Sequence, residues 1–91
     1  MDILAARLIP SEQAIGSSVG DETVLLNLDN GTYYGLDPVG TRICALLQQD
    51  RSPAEICRLL GAEYEVEQET VENDVRSFLT DLKTHGIVIE G

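Results

Sequence analysis

The sequence predicts an α+β domain, a small antiparallel sheet of about three strands packed on three α-helices. Three observations predict it. Two strand-like runs flank Asn30-Gly31, two helix starts each carry a proline, and one apolar stripe near the C-terminus follows helical spacing. Residues 1–20 read as a weakly structured arm, broken by Pro10 and Gly16-Ser17-Ser18, with one short strand near Gln13–Gly16. Residues 21–91 read as the domain proper. Thr23–Leu28 and Thr32–Leu36 then flank Asp29-Asn30-Gly31. Asn-Gly between alternating apolar runs is a strong hairpin signal, because both residues tolerate the positive φ of a type I′ turn.

Asp37-Pro38 starts the first helix: Asp caps free N–H groups, and Pro suits the first helical position. Val39, Ile43, Leu46 and Leu47 give it an apolar face that ends near Gln49. Ser52-Pro53-Ala54-Glu55 is a capping box that starts the second helix. That helix turns in Ile56, Leu59 and Leu60, and Gly61 is its expected C-terminal stop. The third helix runs from about Gln68 to His85, with Gly86 as the stop and a stripe of Val71, Val75, Phe78, Leu79 and Leu82. Ile87-Val88-Ile89 adds a short terminal strand. A hairpin is not stable alone, so its apolar face must pack on the helices. The order resembles a winged helix-turn-helix arrangement.

Composition narrows the function. The chain has 91 residues, enough for one domain, and a formal net charge of −10 from 16 acids and six bases. Nucleic-acid binders need a basic footprint to displace counterions. An anionic membrane surface repels such a chain as well. Neither nucleic acid nor membrane is therefore an expected partner. No apolar run approaches membrane-spanning length, and the N-terminus does not read as a secretory signal, so the expected location is the cytoplasm. Cys44 and Cys57 fit neither a disulfide framework nor a metal motif, and read as half-buried helix cysteines.

Catalysis needs a nucleophile, base or metal site within mutual reach. The single histidine, His85, sits in a helix's last turn, where a donor suits the free carbonyls. No phosphate loop or nucleophile elbow is present, so the reading is a non-enzyme without cofactor or metal. Six acids fall within Glu63–Asp74 with no base among them. Three readings stand: a calcium loop, whose ligand pattern is missing; compensation of the third helix's dipole, with Glu72 paired to Arg76; and a docking face for a basic partner. Thr32–Leu36 leads straight into a helix and carries no Lys, Pro or other edge protection. Either it is an open edge for an added peptide strand, or the N-terminal arm covers it while Tyr33 and Tyr34 pack on the sheet faces.

The run DETVLLNLDNGTYYGLD (Asp21–Asp37), continued by LDPVGTRICALL, SPAEICRLL and TVENDVRSFLTDLKTHGIV, resembles the PqqD-like family. Its members are leader-peptide recognition elements of ribosomal-peptide modification pathways. The resemblance covers about Glu22 to Val88. It implies a peptide chaperone that binds the leader of a precursor peptide and delivers it to a modifying enzyme or leader peptidase. It also implies that the leader adds as an antiparallel strand between the third strand and the third helix. The implied strand wall is Thr32, Tyr33, Tyr34 and Leu36; the implied helix wall is Val71, Asp74, Val75, Phe78 and Leu82. Many relatives have Trp where Cys44 stands. The stand-alone pyrroloquinoline quinone members show a Pro-Glu-Gly-like stretch where this chain has Asp29-Asn30-Gly31. These departures favour the wider branch, as in lasso-peptide leader-binding proteins, with radical-type enzymes as other partners. Two alternatives stand beside it: a winged-helix nucleic-acid binder, and an enzyme-docking domain that binds no peptide. The expected state is a monomer, and an open edge also allows a swapped dimer.

Overall fold

The computed structural model describes residues 2–20 and 22–91. A 3-10 turn (Ile3–Ala5) leads into β1 (Leu8–Pro10), β2 (Ala14–Val19), β3 (Glu22–Asn27) and β4 (Thr32–Leu36). Three helices follow, α1 (Pro38–Gln48), α2 (Pro53–Tyr64) and α3 (Gln68–Thr84), and then β5 (Val88–Glu90). The α+β architecture is the one the sequence predicts, but the winged-helix likeness is loose because the strands form two sheets. β2, β3 and β4 make an antiparallel sheet in that order, while β1 and β5 pair separately.

The first 20 residues hold more structure than the expected single strand. Pro10 ends β1 opposite Val88, where a missing N–H is tolerated. Gly16 lies within β2 opposite Leu25. Leu4, Ala6 and Leu8 are buried in the common core with Ile56, Val75, Leu79 and Leu82. Asp2 accepts two hydrogen bonds from the Arg76 guanidinium, at 3.1 and 3.0 Å, and so ties this segment to α3. That contact also corrects the expected pair of Arg76 with Glu72. A bidentate carboxylate outcompetes a single helix-surface neighbour.

Two turns differ from expectation. The β3–β4 loop spans four residues, Leu28–Gly31, between the paired Asn27 and Thr32. Only Gly31 lies in the left-handed region, at φ 72°, so the turn is not type I′. Side-chain carbonyls build it instead: Asn27 accepts from the Asp29 N–H and Asn30 from the Thr32 N–H, both at 2.9 Å. The second helix passes through Gly61 and ends at Glu65, which takes the left-handed cap at φ 53°. Gly61 serves packing. A Cβ there would collide with the Gln68 side-chain amide, which donates to the Cys57 carbonyl at 3.2 Å.

The other helix ends match the sequence. Asp37 caps α1 through the Gly40 N–H at 2.7 Å, and Ser52 and Glu55 close a reciprocal capping box. Gly86, at φ 70°, turns the chain after α3. Asn27, the one buried polar side chain among the described residues, donates to the His85 carbonyl at 2.8 Å and joins the hairpin to that turn.

Candidate functional site

Alternation along the sheet fixes what each β4 residue presents. The Leu28 N–H donates to the Gln13 carbonyl at 2.8 Å, so even-numbered β3 residues turn their backbone groups toward β2. Odd-numbered ones then face β4, where Thr32, Tyr34 and Leu36 lie opposite Asn27, Leu25 and Thr23. The backbone groups of Tyr33 and Gly35 are left on the outer side of β4. No strand pairs with that side among the described residues. The N-terminal arm does not cover it, because β2 pairs with β3 instead.

Side chains alternate the other way. Thr32, Tyr34 and Leu36 point to the core face, and Tyr33 points outward with 72% of its surface exposed. Leu36 is buried in the core, whereas the Tyr34 ring reaches across to α3. It meets Phe78 edge-on at 6.0 Å and His85 at 5.5 Å, and its hydroxyl lies 3.5 Å from an Asp81 carboxylate oxygen. Burial, then the Asp81 charge, push the Tyr34 phenol above its ordinary range.

Beyond Phe78, α1, α2 and α3 enclose an apolar cleft of about 370 Å³. Val71, Val75 and Phe78 stand on its α3 side, and its other apolar lining includes Val39, Ile43, Leu60, Tyr64 and Val66. A Cβ on Gly40 would come within 3.1 Å of the Phe78 ring, so glycine sets the close seat of that ring on α1. The lining carries two carboxylates, Asp37 and Asp74, and no Lys or Arg. The structure therefore unites Val71, Asp74, Val75 and Phe78 from the expected helix wall. Leu82 is fully buried in the core behind them. Thr32, Tyr33 and Leu36 do not line the cleft, and Tyr34 connects to it through Phe78.

Gly35, which offers only backbone at the open edge, and Val39, Tyr64 and Val66 at the cleft are not among the residues to which the sequence points. The spacing puts Val39 on the core face of α1, but it is exposed, as are Tyr64 and Val66. The available signal was an apolar pair, Tyr64 and Val66, within an acidic run. That run supplies one ion pair among the described residues: Glu63 accepts from Arg42 at 3.1 and 3.0 Å, which holds its carboxyl below the usual range.

Neither cysteine lines the cleft. Burial pushes the Cys44 thiol up to about 11; Cys57 is buried and raised for the same leading reason. Thiols so shifted stay protonated at neutral pH and are poor nucleophiles. No group of three or more metal-ligating side chains occurs among the described residues. No helix among them is long and apolar enough to cross a membrane.

A search of curated proteins gave no match. Among solved structures, TbiB1 in complex with the TbiA(beta) leader peptide is 42% identical, with a TM-score of 0.81. The match covers 88% of this chain and 93% of that one. Lasso peptide synthetase B1 complexed with the leader peptide is 28% identical, with a TM-score of 0.84, over 92% of this chain and 99% of that one. Residues 22–88 match the family described as coenzyme PQQ synthesis protein D, and the chain thus belongs to the PqqD family.

Proposed function

We propose that this chain is a non-catalytic adaptor that binds the leader segment of a ribosomally made precursor peptide and delivers it to a modifying enzyme or leader peptidase. One observation carries the reading: an unpaired strand edge stands beside an apolar cleft, in a chain 42% identical to a protein solved with a leader peptide. In this reading, residues 21–91 are the peptide-binding domain and residues 1–20 complete its sheets. The leader adds antiparallel to β4 and bonds to the backbone of Tyr33 and Gly35, flanked by Thr32, Tyr34 and Leu36. Its apolar anchors meet Phe78 and the Val71–Val75 floor, with Leu82 supporting from behind. Asp74 favours a basic or donor side chain on the peptide. A strand with two anchors is enough for micromolar affinity, about −8 kcal/mol. The nucleic-acid alternative gains no support from α3, whose exposed surface includes Glu69, Asp74 and Asp81.

The test is an amide NMR titration with the leader peptide of the cognate precursor. Shifts concentrated on Thr32–Leu36 and Val71–Leu82 are expected. A folded protein whose spectrum does not respond to that leader would overturn the reading.

A further inference from the structure

The solvent-facing side of the β2–β3–β4 sheet is unusually apolar. An antiparallel sheet with one face in water ordinarily alternates apolar-in and polar-out. Here the outward positions of β3 include Val24 and Leu26, and Leu28 continues that row. Ile15, Leu26 and Tyr33 stand directly opposite one another across the three strands. Ile15 is 47% exposed, Leu28 52% and Tyr33 72%. The next row, Ser17, Val24 and Gly35, is small and flat, and a Cβ on Gly35 would touch nothing within 4 Å. Residues 8–41 contain no Lys or Arg, while Glu12, Glu22 and Asp29 lie on or beside these strands. A clustered apolar face of this kind marks an interaction surface.

Resting on the adaptor reading above, we propose that this outer face docks the enzyme that receives the peptide, through an apolar patch rimmed by Lys and Arg. Charge selects that occupant. A second copy of a chain with net charge −10 would bring acid against acid, whereas a basic rim is steered toward this face. Topology keeps the face available. A peptide added at β4 extends the sheet in its own plane, and the cleft lies on the helical side. Ile15 sits on β2, two strands from the β4 edge. One domain can thus hold peptide and enzyme at once.

The experiment measures, by calorimetry, binding of the purified modifying enzyme or leader peptidase encoded with this chain. Wild type is compared with Ile15→Ser and with Leu28→Ser, and each protein is also titrated with the leader peptide. Each substitution is expected to weaken enzyme binding by about tenfold or more, as for an interface anchor. Leader affinity and melting temperature stay unchanged, and added salt weakens the wild-type complex. Enzyme binding that ignores both substitutions overturns the proposal, as does the absence of enzyme binding while the leader still binds. Sedimentation showing a dimer that Ile15→Ser dissolves assigns the face to a second copy and overturns it too. Loss of leader binding in the wild type would instead count against the adaptor reading.

Discussion

Leu79 and Leu82, toward the C-terminal end of α3, are fully buried, and the turn that follows is fastened to the hairpin by Asn27. Val71, toward the other end, floors a cleft whose rim exposes Val39, Tyr64 and Val66. Both ends carry the same apolar stripe at the same spacing. What differs is the number of elements that converge on them. At the C-terminal end β5 packs back on the helix, and the hairpin reaches it through Tyr34 and Asn27. At the N-terminal end α1 and α2 approach but leave a gap, with Phe78 at the boundary. Apolar periodicity identifies a face to be covered; it does not say whether the chain itself or a partner covers it.

Leu79→Ala tests the closed end and carries the largest expected effect. Its side chain is fully buried, so the substitution removes contacts and opens a cavity, at a cost of about 2–5 kcal/mol. Thermal or urea unfolding measures it. A loss below about 1 kcal/mol would mean that this end is as loosely packed as the other.

Phe78→Ala tests the boundary. The ring is only partly buried, so stability should fall less than for Leu79→Ala. Leader affinity should fall by about 1–3 kcal/mol, read by calorimetry. Unchanged affinity in a folded variant would remove Phe78 from the site and make the cleft a packing defect.

Asp2→Asn carries the smallest effect and bears on how the first residues brace α3. The Arg76 hydrogen bonds, then the bond from the Leu4 N–H, hold the Asp2 carboxyl below its ordinary 3.8. A lowered folded value means that its stabilisation is complete above pH 3.8 and is lost as pH falls through that lower value. The variant should melt slightly below wild type at neutral pH, and the two curves should converge in stronger acid. A gap that persists there would assign the effect to packing instead of charge. The pair is exposed and screened by salt, which keeps the difference small.

These particulars also separate what is local from what is not. Asp37-Pro38 and Ser52-Pro53-Ala54-Glu55 mark their helix starts because a cap bonds within three residues of itself. Gly31 and Gly61 carry no such guarantee. Both read as punctuation, yet only Gly31 has the positive φ, and Gly61 is glycine because Gln68 needs its space. Val71, Val75 and Phe78 are legible as one apolar stripe from their spacing, whereas Asp74 enters only through the family resemblance and the depth of Leu82 on the same stripe is not legible. Tyr64 and Val66 stand close together in one acidic run, but Val39 lies 25 residues upstream, and no local pattern joins it to them.

The hairpin, the three helices with their order and the acidic character are written locally, since they follow from short-range propensity, capping and the count of charges; the 3-10 turn and β1 are not. Long-range packing decided that Arg76 holds Asp2, that the strands divide into two sheets, and that Tyr33 turns to solvent while Tyr34 turns to α3. It also decided where the apolar stripe stays uncovered. Those outcomes depend on which distant segments compete for the same face, and that competition is resolved only when the whole chain packs.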